Sequence, residues 1–140
     1  MGIKQAEDTG DSVKNSLPKW IMAVSGLISL LGLFVGVSLY VSPDTFIDNV
    51  DFSLTGSRYL AYMWAARQTA IGAIIGFSLV RKSAVMLRIS LIAYCLMNIQ
   101  DVGIGIWLGD NGLTIGASLF SLISGSMIAI ISKKPAQQLP

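Results

Sequence analysis

Two opposite charges, Arg67 and Asp101, stand inside apolar stretches of this 140-residue sequence, and no other residues in it raise so sharp a chemical question. A charge held in hydrocarbon costs at least about 2.5–3.5 kcal/mol by insertion scales, so each needs a partner. Arg67 stands nine positions after Arg58 and Asp101 nine before Asp110. On helices rising 1.5 Å per residue, both then lie about 13 Å from the same membrane surface. Counted from the opposite hairpin, at Arg81 and Lys82, Asp101 sits about one turn nearer that surface than Arg67. Helical side chains lean towards their own N-terminus, so on antiparallel neighbours the two side chains converge and close that gap.

Tyr94, Asn98, Asp101 and Gly105 share one helix face, and Trp64 lies one turn from Arg67. Trp64, Arg67, Tyr94, Asn98 and Asp101 therefore form a candidate ligand-binding site for a polar or anionic headgroup, with the planar donor fork of Arg67 as its anchor. Asp101 is also the candidate catalytic residue, an acid or base beside an anion-stabilising Arg67. The competing reading is an ion pair that only fixes helix register, its hydrogen bonds completed by Asn98 and Tyr94.

The elements that must position these residues follow from composition. The chain is 53% hydrophobic and 13% charged, with mean hydropathy +0.65; soluble domains carry roughly 25% charged residues. Its apolar residues gather into four runs, each close to the roughly 20 residues that cross a bilayer. This predicts an all-α integral membrane four-helix bundle with helices at 20–42, 58–80, 84–108 and 112–132. The short breaks at Arg81-Lys82-Ser83 and Gly109-Asp110-Asn111 make helices 2 and 3, and helices 3 and 4, antiparallel neighbours.

Threading four helices places Lys4, Lys14, Lys19, Arg81, Lys82, Lys133 and Lys134 on one side. Asp44, Asp48, Asp51 and Asp110 fall on the other, with Arg58 against them. Cytoplasmic flanks retain Lys and Arg, so both termini are expected in the cytoplasm, with tails at 1–19 and 133–140 and an outer loop at 43–57. Residues 1–19 are polar and mixed in charge, unlike a cleavable signal, and Ala6 stands where a myristoylation motif wants Ser or Thr. Trp20 marks the inner end, while Tyr40, Tyr59, Tyr62 and Trp107 mark the outer ends. Within the loop, Phe46, Ile47, Val50 and Phe52 give an apolar side to a short interfacial helix, either a lid or a turn.

Small residues recur at close-packing spacings: Ser25, Ser29, Gly32 and Gly36; Ala65, Thr69, Gly72 and Gly76; Thr114, Ser118, Ser121 and Gly125. They read as packing seams within the bundle or as a homodimer face. Arg88 reads as a snorkelling cation, Cys95 as buried packing, and Gln68 and Gln100 as helix-to-helix hydrogen bonders away from the Arg67 and Asp101 faces. With no histidine, histidine-ligated haem or metal is excluded for this chain on its own. A net charge of +2, with its cations at segment ends, gives no sign of nucleic-acid binding.

Ser42, Pro43 and Asp44 closing the first helix, with Ala66, Arg67, Gln68 and then Gly72 in the second, resemble small four-helix DoxX-like membrane proteins. Some of these are subunits of membrane quinone oxidoreductases, so the resemblance implies a quinone or a partner membrane subunit. Three roles stay open. One is a protein that holds a lipid, quinone or similar amphiphile, or serves as an accessory subunit; another is a membrane isomerase or cyclase; the last is a small dimeric transporter. No resident cofactor or metal is expected beyond a bound quinone or lipid. The transporter lacks the inverted repeat and paired broken helices typical of that class.

Overall fold

The computed structural model describes residues 17–45 and 50–133, and it is all-helical. The tails at 1–16 and 134–140, and Phe46, Ile47 and Asp48 of the loop, lie outside the described residues. The four long helices are α1 (Lys19–Val41), α2 (Thr55–Val80), α3 (Ala84–Leu108) and α4 (Asn111–Lys133). Each is long and apolar enough to cross a membrane, so the chain is a multi-pass membrane protein. Compared with the expected spans, α1 starts and ends one residue sooner, α2 starts at Thr55 in place of 58, and α4 gains a residue at each end.

Local chemistry sets the ends. Ser42 precedes Pro43 and leaves helical geometry (φ −146°, ψ 75°), as the residue before a proline tends to, which stops α1. A single 3-10 turn follows at Pro43–Thr45, and Val50 and Phe52 are not helical, while Phe46 and Ile47 of the expected interfacial helix lie outside the described residues. Between α2 and α3, Lys82 takes the left-handed conformation (φ 50°) and Ser83 N–H donates to the Ser78 carbonyl at 3.2 Å, closing α2 with a Schellman turn. The Ser83 hydroxyl then caps α3 by accepting from Met86 N–H at 3.3 Å. At the next corner Gly109 is left-handed (φ 70°), Asp110 N–H donates to the Gly105 carbonyl, and the Asp110 carboxylate caps α4 by accepting from Leu113 N–H at 2.9 Å.

Four alternating helices give the bundle a basic end, with Lys19, Arg81, Lys82 and Lys133, and an acidic end, with Asp44, Asp51 and Asp110. The closest helix pairs are α1 with α2 and α3 with α4, and the two hairpins meet chiefly through α2 and α3. The α1–α2 seam depends on missing side chains. A Cβ on Gly72 would lie 2.9 Å from both Leu33 N and Ser29 O, and one on Gly36 would lie 2.9 Å from Thr69 N. That approach lets the Ser29 hydroxyl donate to the Gly72 carbonyl at 2.7 Å. In the α3–α4 seam a Cβ on Gly105 would lie 2.9 Å from Thr114 N. Gly125 of the expected helix-4 seam faces open space.

Packing is uneven along the bundle axis. The half nearer the basic end is filled by Ile21, Ile28, Ile71, Ile75, Leu87, Leu91 and Met127. Beside this core the Ser78 and Ser90 hydroxyls hydrogen-bond at 3.0 Å between α2 and α3. In the other half the buried apolar residues, Leu39, Ala61, Ala65 and Ala117, are mostly small, and the charged pair lies there.

Candidate functional site

Arg67 lies midway along α2 and Asp101 in the last third of α3, and the antiparallel packing of those helices brings the two side chains together. Nη2 of Arg67 donates to both carboxylate oxygens of Asp101, at 2.7 Å to Oδ1 and 2.9 Å to Oδ2. One nitrogen serves both oxygens, so this is not the two-nitrogen fork that Arg can offer a carboxylate. The Arg67 Nε is buried with no hydrogen-bond partner. The Asp101 side chain is only 11% exposed, whereas that of Arg67 is 34% exposed.

Asn98 sits one turn before Asp101, and its Nδ2 donates to the Tyr94 carbonyl at 2.8 Å, within α3. No hydrogen bond joins Asn98 or Tyr94 to Asp101 among the described residues, so the completed network expected around the pair is not what forms. The Tyr94 ring instead meets Phe120 edge-on, centroids 6.2 Å apart, and ties α3 to α4.

Beside the pair, a cleft of about 280 Å³ lies between the two hairpins in the half nearer the acidic end. Its polar groups are Asp101, Asn98 and Gln68, and its aromatic walls are Trp64, Tyr94 and Phe120. Leu31 and Val35 of α1 and Leu113 and Ala117 of α4 supply the aliphatic sides. The hairpins join through α2 and α3, so the cleft reaches the lipid-facing surface between α1 and α4. Gly116 helps to keep it open: a Cβ there would meet nothing within 4 Å.

Four of the five expected site residues, Trp64, Tyr94, Asn98 and Asp101, line this cleft, but Arg67 does not. Arg67 bonds Asp101 from α2 without lining the cleft, so the carboxylate that the cleft presents is already paired. Gln68, expected to face away, lines the cleft. The signal for it was present, since Gln68 follows Trp64 by four residues and so shares its helix face. The contributions of α1 and α4 were not readable from the polar residues, because those helices line the cleft with aliphatic side chains and glycine. Gln100 is exposed and makes no hydrogen bond among the described residues.

No family model matches this chain, nor does any curated protein or any solved structure.

Proposed function

We propose that the protein binds an amphiphile in the membrane, with the polar head at Asp101, Asn98 and Gln68 and the tail leaving between α1 and α4. The observation that carries this is the cleft itself: polar at one wall, apolar at the others, and joined laterally to lipid. At about 280 Å³ it lies near the lower bound of roughly 300 Å³ for small-molecule pockets, enough for a head and the first part of a chain. The positive-inside pattern orients the basic end to the cytoplasm, with both termini there, and puts the cleft in the outer half of the bilayer.

The lining narrows the headgroup. Asp101 only accepts and carries the one charge on the polar wall, whereas Asn98 and Gln68 both donate and accept, one Asn98 N–H already serving the Tyr94 carbonyl. A neutral head that donates hydrogen bonds, such as a hydroxyl, suits this wall better than a phosphate, which would face the Asp101 carboxylate with Arg67 on its far side. A quinone, the ligand suggested by the DoxX resemblance, offers acceptors alone and so gives the Asp101 carboxylate no donor.

Native mass spectrometry of delipidated protein, titrated with monoacylglycerol, lysophosphatidate or a short-tailed ubiquinone, tests this order. One monoacylglycerol per chain, retained ahead of the other two, is the expected result. Preferential retention of lysophosphatidate would return Arg67 to the role of anion anchor and overturn the headgroup assignment.

A further inference from the structure

Arg67 is not among the residues that line the cleft, and that leaves its remaining donors to be accounted for. Only Nη2 makes a hydrogen bond among the described residues, Nε is buried without one, and a third of the side chain is open. At 100° per residue, the strip of α2 flanking Arg67 on its outer side carries Met63, Ala70 and Ile74. The matching strip of α3, flanking Asp101 away from α4, carries Gln100 and Ile104. All five are exposed. Arg67 and Gln100 thus border one shallow groove between α2 and α3, and the Arg67–Asp101 bond holds them at nearly the same depth, since Gln100 and Asp101 are adjacent.

Unlike a scattered surface glutamine in water, Gln100 at this depth has no solvent to bond with, and the free guanidinium donors are in the same position. One group lacks an acceptor and the other offers a carbonyl oxygen. A two-fold axis along the membrane normal keeps depth unchanged, so it would bring Arg67 of one copy level with Gln100 of another, twice over. We propose that this α2–α3 groove is a self-association face, in which Arg67 donates to the partner's Gln100 in both directions. This inference is independent of what fills the cleft, which opens on the far side of the α2–α3 seam.

Thiol cross-linking in membranes tests it. In a Cys95→Ser background, Ile104→Cys places a thiol in the groove, and Leu122→Cys places one on the lipid face of α4, where it is 71% exposed. A short bismaleimide is expected to give a product of twice the chain mass from Ile104→Cys and little from Leu122→Cys. Adding Gln100→Leu, which keeps an exposed side chain of similar size, removes two interhelical bonds of about threefold each and should weaken dimer formation about tenfold. Equal cross-linking at both positions overturns the proposal. So does a product that Gln100→Leu leaves unchanged, or one whose mass shows a foreign chain in place of a second copy. Monoacylglycerol retention by Gln100→Leu should match that of the parent, which keeps a failure here distinct from a failure of the cleft assignment.

Discussion

The two halves of this bundle use the same helices for different ends. Towards the basic end, aliphatic side chains from all four helices meet, and the polar atoms among them are mostly small hydroxyls such as the Ser78–Ser90 pair. Towards the acidic end, α1–α2 and α3–α4 remain tightly seamed within themselves but part from each other, and the space between holds a carboxylate, two amides and three aromatic rings. Lipid gives helices no hydrophobic reason to associate, so a bundle holds together through close packing and polar contacts. The filled half can therefore supply the stability that lets the other half stay open.

The sharpest way to break this contrast is to truncate one leucine in each half. Leu91, fully buried in the filled half, should cost about 2–5 kcal/mol when replaced by Ala, read from thermal or SDS denaturation in detergent micelles. Leu113→Ala, at the wall of the existing cleft, should cost well under half as much, because its loss enlarges a space instead of creating one. Equal losses would mean that the halves are not packed differently. Arg67→Ala comes next, at about 3 kcal/mol, since it leaves Asp101 buried and unpaired. Arg67→Ala with Asp101→Ala should recover most of that loss, and a double variant no more stable than the single would show that the pair holds the fold in some further way.

Glycines sharpen the comparison at a smaller scale. Gly72→Ala drives a Cβ against the α1 backbone and should destabilise by about 1–3 kcal/mol, while Gly116→Ala enters empty space and should be neutral or slightly stabilising in the same assay. The smallest expected effect lies outside the helices. Hydrogen bonds from Ser53, from its side chain first and from its backbone N–H at 2.9 Å second, hold the Asp51 carboxyl below its ordinary 3.8. This turn is therefore at full strength above the ordinary carboxylate value and weakens as pH falls through the lower folded value. Amide exchange at Ser53, corrected for its intrinsic pH dependence, should lose protection there and hold steady above about pH 5.

Much of this was legible in the sequence for identifiable reasons. Four apolar runs with charged or turn-forming breaks leave little freedom in helix placement, and α3 spans the residues that its flanking Ser83 and Gly109 dictate. The convergence of Arg67 and Asp101 followed from counting residues along antiparallel helices. The cleft was only half legible: its polar wall could be read from the Tyr94, Asn98 and Asp101 spacing, but its aliphatic wall could not. Leu31 and Leu113 look like any lipid-facing leucine until the packing of α1 on α2 and of α4 on α3 turns them towards the cleft. The side on which Arg67 approaches Asp101 was likewise invisible, because facing directions on two helices do not fix how far each is rotated about its own axis.

Whether the open half holds a molecule is tested most directly by filling it. Gly116→Leu should occupy the cleft without disturbing either seam. Native mass spectrometry after the same detergent exchange should then find about one monoacylglycerol per wild-type chain and none on Gly116→Leu, with the denaturation midpoint unchanged or raised. Equal retention by the two proteins, or a Gly116→Leu chain that unfolds for want of space, would contradict the open cleft as the binding site.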